Sequence, residues 1–155
     1  MVSSRVDVRQ IVSAATGAPE HISHIAFRRT ADMLNVYLER ALRRDGYSHM
    51  KYIVMLAIAI HEGRVTPTAL SKWLFRTKGA VTSVVRALES DGLVRREENP
   101  MDERSTFITL TEKGQQLVSA SVPTSLEAAS RIFSCLSQDE LATLNALHSR
   151  LRKRL

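Results

Sequence analysis

The sequence predicts a mainly α-helical fold carrying one small β-hairpin, arranged as a helix-turn-helix followed by a wing. Three observations predict it. An amphipathic helix with Val81, Val84, Val85 and Leu88 on one face is stopped by Asp91-Gly92. Two short strand-like runs, Leu93 to Arg96 and Ser105 to Leu110, then flank the polar loop Glu98-Asn99-Pro100-Met101-Asp102-Glu103-Arg104. A new helix start, Thr111, follows at once.

The elements follow in order. Met1 to Glu20 reads as an N-terminal arm in which Val6, Val8, Ile11 and Val12 are the apolar positions. From His21 the pattern is helical, with Ile22, Ile25, Met33, Val36 and Tyr37 on one stripe and a stop at Asp45-Gly46. Ser48 can cap the next helix, whose body from Tyr52 to Ile60 is apolar on nearly all sides and therefore central. Arg64-Val65 can add a minimal strand. Thr66-Pro67 then opens a short helix whose expected buried stripe is Ala69, Leu70, Trp73 and Leu74. A four-residue link leads to Thr77, the cap of the longer helix. In the second hairpin strand Thr106, Ile108 and Leu110 alternate with Ser105, Phe107 and Thr109. Gln115 to Phe133 is a long helical pattern interrupted at Pro123, which should kink it. Ser137-Gln138-Asp139-Glu140 is a capping box opening a last helix with Leu141, Leu144, Leu147 and Leu151 on its stripe.

Composition narrows the function classes. The 155-residue chain carries a formal net charge of +6, which suits a polyanionic partner through counterion release. A single cysteine, Cys135, excludes a disulfide within the chain and points to a reduced, cytoplasmic setting. The longest apolar run, Ile53 to Ile60, is too short to span a bilayer, so no membrane partner is expected. There is no glycine-rich phosphate loop and no elbow around a serine, so the chain is not expected to be an enzyme. His21 and His24 form an isolated pair without further close ligands, so neither a metal nor another cofactor is expected.

The helix opened by Thr77 has the face that a DNA groove requires. Thr77, Lys78, Gly79, Ala80, Thr82, Ser83 and Arg86 are small, hydroxylated or basic. Bulk would hold the helix off the base edges, and carboxylates would repel phosphates. In the hairpin, Arg95, Arg96, Arg104 and Ser105 can reach the adjacent backbone or a narrow minor groove. Asp102 would oppose DNA unless paired, so it is expected to orient Arg104 or Arg96. The alternative reading is a winged-helix protein-interaction module without sequence-specific DNA binding, which would not need Lys78, Thr82, Arg86 and Arg104 together.

Residues 48 to 114 resemble the multiple-antibiotic-resistance regulator (MarR) family of winged-helix transcription factors. Asp102-Glu103-Arg104-Ser105 followed by Leu110-Thr111-Glu112-Lys113-Gly114 resembles the family's wing signature, D-x-R then L-T-x-x-G. Val81 to Val94 resembles its recognition helix and exit into the wing. The flanking helices extend the resemblance to about residues 21 to 155. It implies a winged helix-turn-helix with N- and C-terminal dimerisation helices. The chain then divides into an arm (1–20), an N-terminal dimerisation helix (21–46), the DNA-binding domain (47–114) and C-terminal dimerisation helices (115–155). It further implies a homodimeric regulator, more often a repressor, reading a pseudo-palindromic operator with half-sites ~34 Å apart. Relatives are released from DNA by small aromatic or phenolic ligands, for which Met33, Tyr37, Met50 and Val54 would line the effector pocket. The chain departs from the family at Ser83, where arginine is frequent, and at Phe75, where glycine is frequent and a different turn geometry is expected. Tyr47-Ser48-His49-Met50 follows the family pattern only loosely.

Overall fold

The computed structural model describes residues 17–43, 47–100, 102 and 105–155. The arm positions Val6 to Val12 and the Asp45-Gly46 stop lie outside the described residues. Among those described, the elements are α1 (Pro19–Leu42), α2 (His49–Ile60), β1 (Arg64–Val65), α3 (Pro67–Trp73), α4 (Lys78–Ser90), β2 (Val94–Glu98), β3 (Thr106–Leu110), α5 (Glu112–Phe133) and α6 (Gln138–Arg152). The chain divides into two compact units, Met1–Tyr37 and Leu38–Leu155.

The described part of the first unit is helical from Pro19. The helix starts two residues earlier than the apolar period suggests, because proline at the first helical position lacks only an N–H that would have no helical partner. Ile22, Phe27, Met33 and Val36 are all more than half exposed.

The second unit has one core. α2 lies at its centre, contributing Val54, Met55, Ala57 and Ile58. Leu70 of α3, Val81, Val85 and Leu88 of α4, Ile108 of β3 and Val118 of α5 pack around it. Side-chain caps set the helix starts. Ser48 accepts from Lys51 N at 3.3 Å, Thr66 from Ala69 N at 3.2 Å and Thr77 from Ala80 N at 3.3 Å. Ser137 and Glu140 close the expected capping box. Each such cap contributes about 1 kcal/mol.

β1, β3 and β2 form an antiparallel sheet in that order. Arg64 and Arg95 both stand in register with Thr109, so β3 is paired on both edges. This overrides the expected alternation: Ile108, Thr109 and Leu110 are all buried. A second correction concerns Trp73. It is 42% exposed rather than part of the buried stripe, because α3 has only seven residues and ends at Trp73. Its ring meets the edge of His61, centroids 6.1 Å apart. Pro123 lies inside α5, which runs through it from Glu112 to Phe133.

The exit from α4 is held at several points. Gly92 takes φ 70°, its N–H donates to Glu89 O at 2.9 Å, and Leu93 N donates to Leu88 O at 2.9 Å. This paired bonding closes the helix end with glycine in the left-handed region. Thr111 then donates its N–H to Leu93 O at 3.0 Å and its hydroxyl to Gly92 O at 2.8 Å, and accepts from Gly114 N at 3.1 Å. A Cβ on Gly114 would fall 2.1 Å from Leu93 O, so the first turn of α5 fits there only as glycine. The Leu110-to-Gly114 motif therefore has a structural cause: it clamps the wing's return strand to the end of α4.

α6 closes the chain differently. None of its residues is buried, and Leu147 and Leu151 are 46% and 55% exposed.

Candidate nucleic-acid interface

α3, the turn Leu74 to Thr77 and α4 form the helix-turn-helix. α3 ends in the same bonding pattern as α4: Phe75 N donates to Lys72 O at 3.2 Å and Arg76 N to Ser71 O at 3.1 Å. Phe75 takes φ 50°. The turn geometry is thus not altered by the loss of glycine; phenylalanine adopts glycine's conformation. Thr77 then caps α4, whose inward seam of Val81, Val85 and Leu88 is at most 2% exposed. That seam fixes the rotation of α4 about its axis, so the opposite face is fixed as well.

The outward face carries Lys78, Gly79, Ala80, Ser83 and Arg86, all exposed, with Thr82 half-buried. Thr82 donates its hydroxyl proton to Lys78 O at 2.8 Å, leaving its oxygen lone pairs and methyl to face outward. A threonine so arranged can accept from the amino group of adenine or cytosine. Nothing lies within 4 Å of a Cβ built on Gly79, so internal packing does not require glycine there. Its absent side chain instead permits close approach of the helix backbone.

The wing is less cationic than its sequence suggests. Arg95 donates to Glu97 Oε1 at 2.8 Å, which holds the Glu97 carboxyl below its ordinary range. Arg96 donates to Glu89 Oε1 at 3.0 Å, tying β2 to α4. Arg96, one expected partner of Asp102, thus has Glu89 as a partner of its guanidinium. Arg104, the other expected partner of Asp102, lies outside the described residues. Asp102 shapes the loop through its backbone: its N–H donates to Asn99 O at 3.1 Å and its carbonyl accepts from Ser105 N at 3.0 Å. Asn99 Nδ2 donates to Ser105 Oγ at 2.7 Å, so Ser105 is a brace of the wing tip.

The expected effector-lining residues are placed as follows. Val54 is fully inside the core of the second unit and Met50 packs against that core. Met33 and Tyr37 are 70% and 40% exposed on α1. Cys135 is exposed in the turn after α5 rather than buried. Among the described residues no three His, Cys, Asp or Glu side chains gather as metal ligands, and no helix is long and apolar enough to cross a membrane.

The sequence reading passed over Lys72 and Arg76, exposed cations on either side of Phe75. The four-residue link between two capped helices was the signal that could have marked them.

Residues 45–105 match the model of the MarR family. The Transcriptional regulator HosA of Escherichia coli O157:H7 is 32% identical over 90 residues, covering 58% of this chain and 66% of HosA. The chain belongs to the MarR family. It spans about half to two thirds of the length of the HosA relatives it matches. Sco3205, a MarR family transcriptional regulator from Streptomyces coelicolor solved in complex with DNA, superimposes with a TM-score of 0.80 at 27% identity, covering 88% of this chain and 90% of that one. A mutant E. coli MarR solved with operator DNA gives 0.74 at 26% identity, covering 83% and 95%. Both family structures with DNA thus share the whole winged-helix arrangement described above.

Proposed function

We propose that this chain is a homodimeric, sequence-specific DNA-binding regulator of transcription, acting as a repressor in the cytoplasm and not as an enzyme. α4 enters the major groove and the wing lies along the neighbouring minor groove. The observation that carries this is the outward face of α4. The side chains of Lys78 and Arg86 are exposed and make no ion pair or hydrogen bond among the described residues, while the other face of the same helix is locked into the core. The likeness to Sco3205 and MarR, both solved with DNA, supports it. The exposed apolar faces of α1 and α6 support a second copy as their cover. A small aromatic or phenolic ligand relieves binding in this reading.

Selection of bound sequences from random DNA tests the proposal. A single enriched pseudo-palindrome is expected, and Arg86→Ala should weaken binding to it by about tenfold. Recovery of no sequence preference would contradict the reading and favour an interaction module. Titrating the complex with benzoic and phenolic acids tests the effector.

A further inference from the structure

We infer that Phe75 is a DNA-contacting residue, reaching deoxyribose or a thymine methyl beside the groove entered by α4. The inference rests on the DNA-binding function proposed above. Two independent features of Phe75 gain nothing within this subunit. Its backbone is left-handed, φ 50°, a conformation that disfavours every residue with a Cβ. The residue is 85% exposed, so the fold covers little of the ring's apolar surface. The end of α4 adopts the same bonding pattern with Gly92 at φ 70°, and there the position carries no side chain at all. The turn at Phe75 could be built from glycine in the same way.

Its position and surroundings identify the partner. Phe75 lies two residues before Thr77, the cap of α4, at the end of the helix that enters the groove. Lys72, Arg76 and Lys78 are exposed around it in sequence. An exposed aromatic ring among three cations complements a polyanion with apolar patches, and nucleic acid offers both phosphate charge and apolar sugar or methyl surface. A hydrophobic protein partner would be met by a ring in less cationic company.

Phe75→Gly tests this without risk to the fold, since glycine suits the left-handed turn. The wild-type dimer is first titrated against its selected operator by fluorescence anisotropy. We expect Phe75→Gly to melt at a higher temperature and to bind the operator about tenfold more weakly. Its log-affinity against log-salt slope should match the wild type, because an apolar contact releases no counterions. Phe75→Leu should recover part of the affinity. Wild-type affinity in Phe75→Gly overturns the inference and leaves the DNA-binding function standing. A flattened salt slope also overturns it, because the loss would then belong to the neighbouring cations. A wild-type protein that binds no selected sequence removes the function and the inference together.

Discussion

α4 and α6 follow the same recipe with opposite outcomes. Each is capped by a hydroxyl side chain and each places apolar residues at helical spacing. In α4, Val81, Val85 and Leu88 of that stripe are buried to within 2% by α2, α3 and β2, with Val84 half-buried. In α6 no residue is buried, and Leu147 and Leu151 remain about half exposed. The difference shows that an amphipathic pattern states a demand for cover without naming its source. α4 finds its cover inside the chain, which fixes its outward face for reading. α6 does not, and the exposed Ile22, Met33 and Val36 of α1 make the same demand. The homodimer proposed above would answer it with a second copy of the chain.

The contrast can be broken most severely in the core. Leu88→Ala should cost about 2–5 kcal/mol, because a fully buried leucine leaves a cavity. Leu151→Ala should cost the subunit less than about 0.5 kcal/mol, as an exposed site does. Urea unfolding of both variants, at a protein concentration well below dimer dissociation, measures the two losses. Equal losses would erase the distinction. Gly114→Ala comes next, with an expected loss of about 1–3 kcal/mol from the clash with Leu93 O. Because that glycine clamps the exit of α4, DNA affinity should fall with it. A variant of unchanged stability would show that α5 can retreat without consequence.

A smaller effect is expected with pH. The backbone N–H of His49 donates to the Glu39 carboxylate at 2.6 Å, which holds Glu39 below its ordinary range. Burial pushes His49 down as well, opposed by the Glu39 charge. Both groups bind protons more readily when unfolded. The neutral-His49 contribution is complete above about pH 6.5 and is lost as pH falls toward the lower folded value. The Glu39 contribution is complete above the ordinary carboxylate range and is lost as pH falls through its own lower folded value. Thermal melts from pH 8 to pH 4 should therefore decline in two stages, and His49→Gln should remove the upper stage. A melt that rises on acidification from pH 7 to 5.5 would contradict the assignment.

Much of the winged helix was legible because its signals are local. Hydroxyl caps at Thr66, Thr77 and Thr111 mark helix starts, and Val81 to Leu88 writes the seam of α4 at its own period. What was not legible depends on contacts distant in sequence. Thr109 is buried because β1, more than forty residues earlier, pairs with the far edge of its strand. Trp73 is exposed because its helix is too short to carry it under the core. Arg96 meets Glu89 because β2 returns along α4. The expected site suffered in the same way. The small, hydroxylated and basic face of α4 could be read residue by residue, but the pairing of the wing arginines could not. Phe75 could be seen as unusual in the sequence, while its glycine-like backbone and full exposure needed the fold.

The central claim is that the uncovered helices complete themselves in a second copy. Sedimentation equilibrium of the intact protein at micromolar concentration tests it directly. A mass twice that of the 17.4 kDa chain is predicted, falling to the chain mass when Leu147 and Leu151 are both changed to aspartate. A wild-type protein that sediments as a single 17.4 kDa chain would contradict it.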